Sequence, residues 1–403
     1  MTTVLTRDGI SCHDTFFWSS DYCENPERAN ARWLAEEPIW WSERLGGVVV
    51  VRYDDVKRVM TEHATFGQSP IYDGAFVDAF AGPTLPALDP PDHNVLRKMV
   101  AKHFTVQMIE SGFSGRIREI VSGIIEEFEG ESFEIYHDFT DKLVARVAAL
   151  LIGGDMGDPR LLAEHNAAVI RYMRKTRERK DHTEERASGK EAGDALIAYL
   201  SALYDERSRD AGDATDLLAA LSRTAAGKDE AVRMAALSLV AGVDTTVRGI
   251  ANTLLALLRH PDQLDVVRTD PGLADDAFAE GLRWMTPISL KHRFVRVDTE
   301  LCGVPLAAGD HACVILGAAN RDPRRYVDPE RFDVRRKGPK HLAFGVGTHY
   351  CLGAPLATLE ARHTLQVLLE RFPRLAADTS DLVFDDGPAN RSPREMVIDL
   401  RGA

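Results

Sequence analysis

The chain is short of cysteine, and what it has is scattered. Its five cysteines, Cys12, Cys23, Cys302, Cys313 and Cys351, form no C-x-x-C pair, which argues against a zinc ribbon or a thioredoxin-like redox site. An odd, unclustered set suits a reducing cytoplasm rather than a disulfide framework. Positive charge is scarce too. The 403 residues carry a formal net charge of −13, and aromatics make up 7%. With no basic stripe beyond one local run, nothing supports a nucleic-acid binder. No stretch approaches the ~18–20 apolar residues that span a bilayer, so no membrane association is expected. Residues 1–9 carry no apolar core and no twin arginine, and a cytoplasmic location is the expectation. No G-x-G-x-x-G follows a strand pattern. A dinucleotide-binding unit is therefore not expected, and electrons for any redox chemistry have to arrive from elsewhere. Low-complexity runs, fixed-period repeats and linkers are missing as well. Length alone suggests two or three domains, yet nothing in the composition divides the chain.

What is present is mainly helical pattern. Pro38-Ile39-Trp40-Trp41, Gly46-Gly47 and Val48-Val49-Val50-Val51 read as a β-hairpin. Asp54-Asp55 then caps a short helix carrying Val56, Val59 and Met60. Residues 66–90 read as a long loop, the kind that is usually functional in a compact domain. From Pro91 to about residue 260 helices dominate, with apolar spacing near 3.6 over 117–128 and 143–152. Residues 295–301 and 304–306 flank Cys302-Gly303 and read as a second small hairpin.

Cys351 stands in the densest chemical signal, Phe344-Gly345-Val346-Gly347-Thr348-His349-Tyr350-Cys351-Leu352-Gly353-Ala354-Pro355-Leu356-Ala357. Gly345 and Gly347 let the backbone turn sharply. An apolar helix opens after Gly353, with Pro355 in its first turn, where a missing N–H costs nothing. Amides at that helix start favour a negative sulfur. A lone cysteine is most often a small buried hydrophobe, but that account leaves the glycines, Phe344 and His349 unexplained. A second signal is Ala241-Gly242-Val243-Asp244-Thr245-Thr246, inside a helical pattern over 228–258. Glycine costs a helix interior ~1 kcal/mol against alanine, and such a conflict often marks a functional site.

The cysteine stretch resembles the haem-binding signature of the cytochrome P450 family, matched at every position. The second stretch resembles that family's oxygen-activating helix, Ala-Gly-x-Asp-Thr-Thr. The resemblance implies one domain over 1–403, mainly α with small β-sheets, and haem b held between the long helix and the cysteine helix. It implies a monooxygenase that hydroxylates a small to medium apolar substrate with O2, fed by a ferredoxin and its NAD(P)H-dependent reductase. Oxidative coupling, epoxidation, desaturation and a non-catalytic haem sensor are the alternatives. Cys351 becomes the iron ligand, with Phe344, Gly345 and Gly353 around the cofactor and Ala241 leaving room for O2. Asp244 relays protons and Thr245 hydrogen-bonds the oxygen. His93, Arg97, Arg293 and His349 become propionate partners, although by spacing alone His93 and Arg97 also fit a solvated helix face.

Glu280 and Arg283, three apart on a helix, join Arg331 in a structural triad behind the cysteine loop. Thr358 stands where the family commonly has arginine. Tyr72, Phe76, Phe80, Leu237, Val240, Ile288, Ser289 and Leu290 are expected to line the substrate space, with Ser392-Pro393 closing it. Lys291 can pair a substrate carboxylate, although a solvated lysine is the plainer account. Lys98, Lys102, Arg335, Arg336, Lys337 and Lys340 can steer an acidic ferredoxin. Residues 171–190 hold eight Lys/Arg against four Asp/Glu, a basic rim suited to an acyl or peptidyl carrier protein.

Overall fold

The computed structural model describes residues 4–6, 9–68, 77–128, 130–153, 159–175, 183–209, 216–224, 227–384 and 387–401. Its organising element is a helix of 32 residues, Lys228–Arg259. Acidic Asp229 and Glu230 open it and Arg259 closes it, the charge order that complements a helix dipole. By length and composition this helix is apolar enough to cross a bilayer, contrary to the expectation that no such stretch exists. It is instead a core helix. Ala231, Val232, Ala235, Ala236, Leu239 and Val240 are buried before the Gly242 region, and Val247, Ile250, Ala251, Leu254 and Leu255 after it. Helices Asp141–Ile152, Ala274–Trp284 and Ala354–Arg371 pack against it. Their apolar faces merge with it into one large core.

To one side lies a seven-stranded sheet in the order β1-β2-β3-β4-β10-β7-β5. These strands are Val4–Thr6, Ile10–Cys12, Ile39–Ser42, Gly47–Val50, His311–Ile315, Leu290–Val295 and Phe66–Gly67, respectively. β3 and β4 form the hairpin read from the sequence, and β10 joins β4 in parallel, Cys313 opposite Val49. Phe17, Trp33 and Trp40 fill a separate aromatic core on this sheet, with Trp33 and Trp40 ring centroids 5.1 Å apart. β7 pairs with β10, Arg293 opposite Ala312 and Lys291 opposite Val314. Strand alternation therefore puts Lys291 and Arg293 on one face. His292 turns the other way, its Nδ1 3.2 Å from the Cys313 sulfur.

Three local expectations shift. The second hairpin is Thr299–Leu301 with Val304–Leu306, and Val295 belongs to β7. Residues 66–90 are not all loop: Phe66–Gly67 is a strand, 77–80 are helical and Leu85–Ala87 forms a 3-10 turn. Asp54 and Asp55 do not cap the helix Tyr53–Thr61, which starts after Arg52 with no side-chain cap from its own segment. Its first N–H, on Tyr53, donates instead to Asp322 Oδ2 at 3.0 Å. Asp54 is drawn outward to Arg325.

A candidate active site between two helices

The long helix and the cysteine loop border one cavity of about 410 Å³, within the size range of small-molecule sites. Ala241, Gly242, Val243, Asp244, Thr245, Leu237 and Val240 line it from the long helix. Ala241 and Gly242 are exposed in the middle of an otherwise buried helix. A Cβ on Gly242 would meet nothing within 4 Å. The small residues thus leave an open notch where neighbouring turns are packed. The Thr245 hydroxyl donates to Ala241 O at 2.8 Å. Asp244 is held by Arg248 one turn on, Nε to both carboxylate oxygens at 3.1 Å.

Cys351 lines the same cavity with Phe344, Gly345, His349 and Gly353. Its N–H donates to Phe344 O at 2.8 Å, which closes the loop on itself. Gly345 and Gly347 have φ of +72° and +70°, where a side chain is strained. At Gly347 a Cβ would also sit 3.0 Å from the Thr61 methyl. The helix Ala354–Arg371 begins just after Gly353. Burial pushes the Cys351 thiol up, while the Gly353 and Ala354 amides and the charges of Lys291 and Arg97 pull it down. The helix-start amides read from the sequence are present, yet burial outweighs them. A bound cation reverses that balance, since a coordinating thiol is deprotonated outright.

The basic residues converge at one end. His93 and Arg293 are buried, and the His93 and His349 rings lie 4.3 Å apart. Burial, then Arg293, His93, His63 and Arg97, push the His349 imidazole down to about 2, so it is neutral. The Nε2 atoms of His93 and His349 are buried with no hydrogen-bond partner. Arg97 donates to Tyr350 O at 2.7 Å, and Arg293 donates to His292 O at 2.8 Å and Gln68 Oε1 at 3.3 Å.

Behind the loop, Glu280 and Arg283 form a buried bidentate pair, Nε–Oε2 2.7 Å and Nη2–Oε1 2.9 Å. The second guanidinium on Glu280 belongs to Arg336, at 3.0 Å, and not to Arg331. The Arg331 side chain is exposed, and its carbonyl accepts from Arg283 Nη2 at 3.1 Å. Arg283 also donates to Asn320 O at 3.0 Å. The Asn320 side chain accepts from Leu342 N–H at 2.7 Å, and Leu342 O accepts from Gly345 N–H at 2.8 Å. The ion pair thus reaches the cysteine loop through three successive bonds.

Of the expected lining, Leu237, Val240, Ile288 and Lys291 border the cavity. Phe80 and Leu290 are wholly buried in the core. Ser289 faces a small separate pocket and accepts from Gly317 N–H at 3.2 Å. Ser392 is buried against the Tyr136 hydroxyl at 2.6 Å. Tyr72 and Phe76 lie outside the described residues, as do 176–182 of the basic run 171–190. Arg336, read as a surface cation, is committed to Glu280.

Two groups had no sequence signal. Glu360, on the cysteine helix, lines the cavity fully buried, and burial pushes its carboxyl up to about 8. Its position inside an apolar helical stripe was the only hint. His63 and Asp89 bring ligand atoms within 4.8 Å of His349 from elements far away in sequence.

The family model described as Cytochrome P450 matches residues 36–270 and 272–390. The cytochrome P450 monooxygenase PikC of Streptomyces venezuelae is 39% identical over 326 residues, 78% of this chain and 75% of that protein. The erythromycin C-12 hydroxylase of Saccharopolyspora erythraea is 33% identical over 372 residues, 88% of this chain and 90% of its own. Among solved structures, P450BioI in complex with hexadec-9Z-enoic acid-ligated acyl carrier protein superposes with a TM-score of 0.86. It is 28% identical and is covered over 94% of this chain and 100% of that one.

Proposed function

The chain belongs to the cytochrome P450 family and is a monooxygenase, and on that premise we propose that Cys351 would supply the thiolate ligand of a bound haem b. The carrying observation is that the Cys351 sulfur shares one cavity with the open Ala241–Gly242 notch. The residues present fit a haem. The Nε2 atoms of His93 and His349 are buried without a partner, as at a site that takes a polar ligand. Arg97 and Arg293 are cations beside them, suited to carboxylates through their forked donors. When bound, the haem supplies oxygen activation at iron, assisted by electron density from the sulfur.

Each side chain then has a task. Arg97, Arg293, His93 and His349 would hold the propionates, the arginines as charged donors and the histidines through the ring nitrogen that carries hydrogen. Gly242 and Ala241 keep the notch open for O2. The Thr245 hydroxyl, now on Ala241 O, would offer a hydrogen bond to dioxygen in the notch, and Asp244 would supply protons to it. Leu237, Val240 and Ile288 orient an apolar substrate and exclude water. Electrons come from a ferredoxin reduced through an NAD(P)H-dependent reductase. The exposed Lys98, Lys102, Lys337 and Lys340 suit an acidic partner. The setting is cytoplasmic.

The test is spectroscopic. Cys351→Ser should remove the red-shifted Soret band of the reduced carbon monoxide complex, and its persistence would overturn the ligand assignment. A pyridine haemochrome spectrum identifies haem b. A second reading, oxidation of an acyl chain tethered to a carrier protein, is favoured by the carrier-bound structural relative. Spectral titration with free and carrier-bound acids separates the two. Product analysis separates hydroxylation from coupling, epoxidation or desaturation.

A further inference from the structure

Outside the cavity, one acid on a neighbouring helix has no part in the roles given so far. Asp141 opens the helix Asp141–Ile152, which packs on the long helix. Val144, Val147 and Ala148, on the following turns, line the same cavity as Asp244. Immediately before Asp141 runs a π-helical turn, Ile135–Thr140, pinned where the buried Thr140 hydroxyl donates to Ile135 O at 2.9 Å. Such turns are rare and gather at functional sites. This one sets His137 Nδ1 3.2 Å from Asp141 Oδ2. Side-chain exposure falls along a series toward the cavity: His137 84%, Asp141 40%, Asp244 20%. Burial foremost holds the Asp141 carboxyl above the usual carboxylate range. The charges of Glu134 and Asp244 add to that, and His137 opposes it.

We propose that His137 and Asp141 supply protons from solvent to Asp244, with Asp141 the positioning residue of the step. The inference rests on the role given to Asp244 above. His137 takes a proton from water, and its Nδ1–H bond breaks as an O–H bond forms at Asp141 Oδ2. Asp141 passes a proton through solvent water to the Asp244 carboxylate, and His137 is reprotonated from bulk; no electrons move. Glu134 and His137 bear on Asp141 from its own side and Asp244 from the long helix, where Arg248 keeps Asp244 in place at 3.1 Å. The wild type should lose coupling as pH rises through the raised Asp141 midpoint.

The experiment uses the holoenzyme. Carboxyl and imidazole titrations of Asp141 and His137 are followed by NMR in wild type and Asp244→Asn. Product formed per NAD(P)H is measured against pH for wild type, Asp141→Asn, Asp141→Glu, His137→Asn and Asp244→Asn. Asp244→Asn should lower the Asp141 midpoint. Asp141→Asn should cut coupling about threefold and flatten its pH profile, less than for a direct acid because water offers a parallel route. His137→Asn, altered at an exposed site, should flatten it likewise, and Asp141→Glu should restore the slope. An Asp141 midpoint indifferent to Asp244→Asn, or variant profiles that superpose on wild type, would overturn the proposal. If Asp244→Asn itself stays coupled, the acid role of Asp244 falls first. If Asp244→Asn uncouples and the other variants do not, only the supply step falls.

Discussion

The two walls of the cavity are held by different means. The cysteine loop is irregular backbone with two left-handed glycines, braced by a buried ion pair whose donors are shared among Glu280, Asn320, Pro329 and Arg331. The Ala241–Thr246 wall is regular helix, and its chemical groups bond within their own turns, Thr245 to Ala241 and Arg248 to Asp244. Irregular backbone needs support from outside its own segment, whereas helix carries its own hydrogen bonds. Substitutions on the loop side should therefore register in stability, and those on the helix side in chemistry.

The largest effect should come from Arg283→Ala. It takes one of two guanidiniums from the buried Glu280 carboxylate, leaves Arg336 as its remaining partner, and deprives the Asn320, Pro329 and Arg331 carbonyls of their donor. The cost should be about 3 kcal/mol, read from chemical denaturation together with loss of cofactor retention. A cost under about 1 kcal/mol would break the contrast at its strongest point. Thr245→Ala tests the other wall. Stability should change by under about 1 kcal/mol, while product per NAD(P)H consumed falls about tenfold, the worth of one hydrogen bond in the reacting state.

Glu360→Gln sharpens the comparison through pH. In the folded apoprotein the Glu360 carboxyl keeps its proton up to about 8; in the unfolded chain it titrates as an ordinary carboxylate. Between those two values the folded state binds more protons, so stability falls as pH rises and levels off above the folded midpoint. The slope contributed is at most about 1.4 kcal/mol per pH unit. Glu360→Gln should remove it, and denaturation midpoints across that window read it directly. Gly347→Ala should have the smallest effect, about 1 kcal/mol from the positive φ, seen as a modest fall in thermal midpoint. A neutral result would mean that the Thr61 methyl and the loop yield together.

Much of this was legible in the chain because the chemistry is local. The cysteine loop and the Ala-Gly-x-Asp-Thr-Thr turn are contiguous, and the 228–258 pattern falls within one residue of the helix that forms. What sequence could not show is which side chain turns inward when several candidates are near. Arg331 and Arg336 lie five apart in one irregular segment, and no periodicity selects between them. Ser289 and Ile288 are adjacent on an extended run, so the backbone alone decides which one faces the cavity. Glu360 lies on a helix stripe where burial depends on neighbours far away in sequence. Asp141 shows its place only once two helices are packed.

The bond from Tyr53 N–H to Asp322 spans 269 positions, and it bears on how the protein is made. At ribosomal speeds of 5–20 residues per second, the helix Tyr53–Thr61 waits about 15–50 s for its acceptor. Over the same interval strand β4 waits for β10, with Val48 and Val50 uncovered. The nascent chain thus carries an unfinished sheet edge until β10 has been made, and Cys351 leaves the ribosome only after that edge can close. Capture of a cofactor by Cys351 therefore follows translation of both partners of that edge.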